Sequence, residues 1–168
     1  LFGIQSNGTL LEDEDIDFIK DNGVMIGLSI DGPDGASSDM TRKDWSGTGS
    51  FAKVAKLLAK FRNYDGLSVI CTMNSLNMQK LPKTIEYFHS QGVKTCLLNV
   101  VRCTMEGARQ IKPNDTDVAK FFIKALERSR ELYLKSGQKI VVANFANILL
   151  AILAPSGRKL MCDISPCG

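Results

Sequence analysis

Four short polar clusters stand out in this sequence, each directly after an apolar run: Gln5-Ser6-Asn7-Gly8, Ser29-Ile30-Asp31-Gly32-Pro33, Thr72-Met73-Asn74 with Asn77, and Asn99-Val100-Val101-Arg102. Taken singly, each has an ordinary reading. Asn, Asp and Gly tolerate positive φ and Pro fixes the next bend, so Asn7-Gly8 and Asp31-Gly32-Pro33 are good turn formers. Taken together, and if the runs before them are parallel strands, they bring hydroxyl, amide and carboxylate groups to one rim. Such a rim offers donors and acceptors to a polar ligand, for example a ribose with an amino-acid moiety. Arg42 is a further candidate. It lies on the long stretch from Asp31 to Gly49, with Asp39, Lys43, Asp44 and Trp45, and loops beyond about 12–15 residues in compact domains are usually functional or disordered. The planar fork of an arginine can clamp a carboxylate or pair with ribose hydroxyls; the competing reading is a solvated arginine on a mobile loop.

The other reactive side chains give less. Cys71 and Cys96 sit inside apolar runs and read as small buried hydrophobes. Cys103 follows such a run with no His or basic cluster beside it to activate a thiol. Cys162 and Cys167 are separated by four residues, which on spacing alone is a weak metal signature. His89 is the only histidine; next to Phe88 it reads as a helix-surface residue, with no partner for a Ser-His-Asp arrangement.

These residues need a scaffold, and the hydrophobic pattern supplies one. Phe2 to Gln5, Val24 to Ile30, Leu67 to Met73 and Val93 to Val101 are nearly continuous apolar runs, as the strands of a helix-covered parallel sheet require. Helical segments separate them. Thr9 and Glu12 have capping-box spacing before Ile16 and Ile19, and Asn22-Gly23 is a stop signal. Ser50 can cap a helix whose Phe51, Val54, Leu58 and Phe61 form one buried stripe. Pro82 suits a first turn, with Ile85 and Phe88 on one face and Gly92 at the end. Asn114 or Asp115 begins a longer helix whose Val118, Phe121, Ala125 and Leu132 face inward and which Gly137 closes. A last helix spans Ala143 to Leu153. The alternation predicts right-handed βαβ crossovers and a parallel sheet. Periodicity does not choose between an open doubly wound sheet and an arc of a (β/α) barrel.

Composition narrows the function. With 44% hydrophobic and 23% charged residues, the 168-residue chain has the make-up of a soluble α/β domain rather than a disordered one. Its net charge of +3 is spread without a basic run and aromatics are few, so nucleic acid is not an expected partner. No apolar stretch approaches the roughly 20 residues that cross a bilayer, so no membrane partner is expected either. Five cysteines, an odd number, without a secretion signal point to free or metal-bound thiols and a cytoplasmic location. Neither G-x-G-x-x-G nor G-x-x-x-x-G-K-[ST] occurs. A chain opening on an apolar strand without Met and closing on Ser165-Pro166-Cys167-Gly168 is expected to be an internal piece of something longer.

In order and spacing, Gln5-Ser6-Asn7-Gly8-Thr9-Leu10-Leu11, Gly27-Leu28-Ser29-Ile30-Asp31-Gly32-Pro33, Asp39-Met40-Thr41-Arg42 and Gly47-Thr48-Gly49-Ser50-Phe51 resemble the third and fourth strand regions of radical S-adenosylmethionine (SAM) enzymes. The similarity is to the anaerobic sulfatase-maturating enzymes and related peptide maturases, which read Q-T-N-G-x-L-L, S-x-D-G-P, H-D-x-x-R and G-x-G-S-F. It continues more weakly to about Arg102. Ser38 replaces the family's His and Ser6 its Thr. Cys162-Asp163-Ile164-Ser165-Pro166-Cys167-Gly168 looks like the entry to a cysteine-rich SPASM extension.

The resemblance implies residues 1–154 as part of a TIM-like (β/α)6 barrel, its third to sixth strand region and following helices, and residues 155–168 as the start of a truncated SPASM-like extension. It implies that Ser29 bonds the SAM ribose, that Arg42 contacts SAM, and that Val101 lies by the adenine through its backbone. Gln5 would face a peptide or protein substrate such as a sulfatase, and Cys167 with Cys162 would hold an auxiliary cluster in the full-length protein. The parent would use a 4Fe-4S cluster to generate a 5′-deoxyadenosyl radical and modify a side chain, as in conversion of Cys or Ser to formylglycine. The family's C-x3-C-x2-C motif and its G-G-E segment do not occur here, so the chain alone is expected to be inactive. A non-catalytic peptide-binding module and a different half-barrel enzyme remain as alternatives, and open sheet edges at Phe2–Gln5 and Val93–Val101 predict self-association or coverage by the chain's own terminal segments.

Overall fold

The structure is a computed structural model and describes residues 2–104 and 106–154. The four apolar runs form β1 (Gly3–Ser6), β2 (Met25–Ser29), β3 (Leu67–Met73) and β4 (Thr95–Val100), and a two-residue β5 (Val141–Val142) follows. The order across the sheet is β1-β2-β3-β4-β5, with every neighbouring pair parallel. Doubly wound sheets reverse strand order at a switch point, whereas a barrel adds strands sequentially. The observed order is therefore that of a barrel arc, and it does not close among the described residues.

Between the strands lie α1 (Asp13–Asp21), α2 (Gly35–Ser38), α3 (Phe51–Lys60), a 3-10 turn (Met78–Lys80), α4 (Leu81–Ser90), α5 (Glu106–Gln110), α6 (Asp115–Ser136) and α7 (Ala143–Leu153). Sequence signals fix several ends. Asn114 accepts the Asp117 N–H at 2.8 Å to cap α6, and Gly137 closes it at φ 73°. The start of α1 differs from expectation. Glu12, not Thr9, is the cap residue, and its N–H donates to the Asp15 carboxylate at 3.0 Å. Thr9 is drawn instead into the preceding turn, donating through both N–H and hydroxyl to Asn7 Oδ1.

The helices cover one face of the sheet. Ile16, Ile19, Val54, Leu58, Phe61, Ile85 and Phe88 are buried with Ile26, Leu28, Val69, Cys71, Cys96 and Leu98 of the strands. The alternate strand positions point to the helix-free face, where the register aligns Gln5 with Gly27 and Ser68, Ser29 with Ile70 and Leu97, and Thr72 with Asn99. In β3 this face is half-buried while the helix side is buried throughout.

Of the two edges expected to be open, that of β4 is covered by the chain itself. Thr95 and Cys96 pair with Val141 and Val142. Beyond them the Leu98 N–H donates to Asn144 Oδ1 at 2.8 Å, so the first turn of α7 satisfies a ladder group that β5 is too short to reach. β4 is also shorter than the Val93–Val101 run, because Val93 N–H closes the end of α4 on Phe88 O. No helix among the described residues is long and apolar enough to cross a membrane.

Candidate site at the carboxyl ends of the strands

Asp31, two residues past the end of β2, is the centre of the rim. It is 3% exposed, and both carboxylate oxygens are engaged. Oδ1 accepts from Arg42 Nη2 at 2.9 Å and from the Thr72 N–H at 2.7 Å. Oδ2 accepts from Thr41 Oγ1 at 3.3 Å and lies 2.7 Å from Arg42 Nε, a charge contact whose N–H is not aimed at the oxygen. The carboxylate thus joins β2, β3 and the long loop, and turn formation at Gly32-Pro33 does not account for it.

The loop is anchored in two further places. Asp34 accepts the Ser37 N–H at 2.8 Å and its hydroxyl at 2.6 Å, starting α2. Those bonds, chiefly the one from the Ser37 hydroxyl, with Lys80 nearby, hold the Asp34 carboxyl below its ordinary value. Asp39 reaches across to accept the Phe51 N–H at 2.9 Å, capping α3 in place of the Ser50 side chain. Gly49 makes this possible, since a Cβ there would stand 2.1 Å from the Asp39 carboxylate. The series Asp39, Arg42, Gly49, Phe51 is therefore one folded unit.

Behind the rim, Asn77 Nδ2 donates to the carbonyls of Asp31 (2.9 Å) and Thr72 (2.8 Å), while Asn77 Oδ1 accepts the Asn74 N–H at 2.9 Å. Asn74 Oδ1 accepts from Leu76 and Asn77 N–H, and both asparagines are 1% exposed. Fully satisfied buried networks of this kind are rigid.

In front of it, the side chains of Gln5, Ser29 and Thr72 share the helix-free face and make no hydrogen bond to other described residues. Asn99 Oδ1 accepts from Asn144 Nδ2 at 3.1 Å. Val101 N–H continues the ladder to Met73 O at 2.9 Å. Two polar cavities open here, one of about 550 Å³ bordered by Asn7, Thr41, Arg42, Trp45 and Lys53, the other of about 450 Å³ bordered by Thr72, Asn99, Val100 and Arg102. Ser29 and Gln5 border neither. Asn7 does turn work, as its ordinary reading predicts. Hydroxyls without a partner among the described residues, at Ser29 and Thr72, and a guanidinium held by Asp31 are groups that can bond the hydroxyls and carboxylate of a polar ligand. A separate apolar groove of about 520 Å³ is lined by α6, β5 and α7.

An iron–sulfur cluster finds no such fit among the described residues. No group of three His, Cys, Asp or Glu there is placed to hold a metal. Cys71 and Cys96 are buried in the sheet, and burial raises both thiols, Cys96 to about 12, away from the thiolate a cluster needs. Cys103 is half-buried. Cys162 and Cys167 lie outside the described residues. His89 Nε2 sits 3.2 Å from both the Gln138 carbonyl and Ser136 Oγ, tying α4 to the end of α6.

The chain is homologous to anaerobic sulfatase-maturating enzymes. It is 26% identical over 168 residues to the cysteine-type anaerobic sulfatase-maturating enzyme of Clostridium perfringens, covering 96% of this chain and 44% of that protein. It is 40% identical over 167 residues to an uncharacterized protein of Archaeoglobus fulgidus, covering 99% of this chain and 39% of the other. Among solved structures, native anSMEcpe with bound AdoMet and Cp18Cys peptide superposes with a TM-score of 0.81 at 23% identity, over 96% of this chain and 45% of that one, which establishes a common fold. The chain thus spans less than half the length of these relatives. No protein-family model matches it.

Proposed function

We propose that this chain forms the third to sixth strand region of a radical SAM maturase barrel, residues 1–154, with residues 155–168 beginning a SPASM-like extension. The observation that carries the reading is the alignment of Gln5, Ser29 and Thr72, whose side chains have no hydrogen-bond partner among the described residues, on one face towards the carboxyl ends of consecutive parallel strands, with Arg42 fixed by Asp31 on the loop that follows the second strand. The homology to sulfatase-maturating enzymes supports it, and so does the common fold with a structure holding AdoMet and a peptide.

In this reading SAM, when bound, is the source of the radical that abstracts hydrogen from the substrate. The protein's own part is to bind and orient. Ser29 donates to or accepts from the ribose, Arg42 presents guanidinium donors to SAM, and the backbone at Val101 borders the adenine. Gln5 faces a peptide or protein side chain, a Cys or Ser of a sulfatase being the expected substrate. The catalytic cluster would be held by residues elsewhere in the parent, and Cys162 and Cys167 would serve an auxiliary cluster. The parent would work in the cytoplasm, where thiols stay reduced.

The test is anaerobic reconstitution with iron, sulfide and a reductant, followed by assay for 5′-deoxyadenosine and for formylglycine in a Cys- or Ser-containing sulfatase peptide. The full-length parent is expected to form both and the 168-residue chain neither. Cleavage of SAM by the chain alone, or its absence in a cluster-loaded parent, would overturn the reading. A non-catalytic peptide-binding module would bind the peptide and leave SAM intact.

A further inference from the structure

The carboxylate of Asp31 is too heavily engaged to be explained by the turn that follows it. Its oxygens accept from Arg42 Nη2, Thr72 N–H and Thr41 Oγ1, and a charge contact to Arg42 Nε adds to these. None of these partners lies within Gly32-Pro33-Asp34. The residue is itself held at both backbone ends, since its N–H donates to Ser38 Oγ at 3.2 Å and its carbonyl accepts from Asn77. Asn77 in turn is locked by Thr72 and Asn74. An anion fixed in this way fixes what it holds.

What it holds is two of the three guanidinium nitrogens of Arg42. Nη1 has no hydrogen-bond partner among the described residues. The guanidinium is planar, so a carboxylate gripping one edge sets the direction in which the remaining donors point. The Arg42 side chain is 22% exposed and borders the polar cavity beside Asn7 and Lys53. A freely rotating arginine at that exposure would sample several rotamers; this one is confined to one plane.

We infer that Asp31 is a positioning residue which acts through Arg42: it aims the guanidinium at the SAM site and neutralises it, so that Arg42 works by directed hydrogen bonds more than by net charge. Asn77 serves the same end one step further back. The inference rests on the reading of Arg42 as a SAM contact and adds to it the group that makes the contact possible.

A double-mutant cycle separates positioning from a merely structural role, because residues acting as a unit are non-additive. SAM affinity is measured by calorimetry on the full-length, cluster-loaded parent and on its Asp31→Asn, Arg42→Ala and double variants. Asp31→Asn keeps the shape and the acceptor for Thr72 N–H but removes the charge. It is expected to weaken SAM about 10-fold or more, in the range for losing a charged hydrogen bond. Arg42→Ala is expected to weaken SAM by at least as much, and the double variant to bind no more weakly than Arg42→Ala alone. Losses that multiply would show that Asp31 does not act through Arg42, leaving the SAM site itself standing. An unchanged affinity in Arg42→Ala would remove the site reading and this inference with it. Should Asp31→Asn fail to fold, Asp31→Glu moves the charge by one methylene and is read the same way. It should weaken SAM when Arg42 is present and have no effect in the Arg42→Ala background.

Discussion

The loop after β2 and the helix after β5 are opposite solutions to leaving a parallel strand. After β2 the chain spends the residues from Asp31 to Ser50 on polar groups that are nearly all paired, with Asp31, Asp34 and Asp39 each accepting from a backbone N–H. After β5 it passes directly into α7, eleven residues without a charge and without one buried side chain. Ile148, Ile152 and Leu153 are 53%, 68% and 78% exposed. The first region is determined by bonds it makes with itself and with β3. The second carries the composition of a buried helix and has little packed against it, so its sequence describes contacts that the described residues do not contain.

The contrast is sharpest at Gly49 and Ile152. Gly49→Ala would drive a Cβ into the Asp39 carboxylate and break the cap on α3; we expect a loss of about 1–3 kcal/mol in chemical denaturation, a lost cap with local overpacking. Ile152→Ala, at an exposed site, should stay within about 0.5 kcal/mol. Equal losses at the two positions would erase the distinction between a self-determined loop and a helix with an exposed apolar face.

A smaller effect follows from Asp34. Its folded-state pKa lies below the unfolded value of about 3.9, so its stabilisation is present above that value and disappears as pH falls through the folded pKa. Asp34→Asn retains an acceptor for the Ser37 N–H without the titration. Thermal midpoints recorded between about pH 5 and pH 2 should therefore fall less steeply in the variant than in the wild type. Parallel curves would mean that Asp34 contributes as an uncharged cap. The group is about half exposed, which keeps the expected difference small.

How much of this was legible depends on the distance over which each feature is specified. The four longer strands, the helices α1, α3, α4, α6 and α7 and the caps at Asn114 and Gly137 follow from periodicity and from residues a few positions apart, whereas the short α2 and α5 carry no period to read. The second strand's polar exit, with Ser29 and Asp31, could be found because it directly follows an apolar run, and the long loop drew attention to Arg42. β5 is not legible in the sequence because two residues carry no period; Asn144, which completes that edge, is meaningful only beside Leu98. The capping of α3 by Asp39 instead of Ser50 is a contact across twelve positions, invisible to a local capping rule. The role of Asp31 was hidden for another reason. Asp-Gly-Pro already has a sufficient explanation as a turn, and only the Thr72 and Arg42 contacts show that the carboxylate is used elsewhere.

The central claim is that the helix-free face at the carboxyl ends of β1 to β4 binds SAM. Ser29 tests it most directly, because its hydroxyl has no partner among the described residues and its loss should leave the fold intact. Isothermal titration of SAM into the cluster-loaded, full-length parent should show Ser29→Ala weakened by roughly 1–3 kcal/mol, the cost of a buried polar contact left unmade, with the cluster absorbance and thermal midpoint unchanged. An affinity equal to that of the wild type would contradict the account.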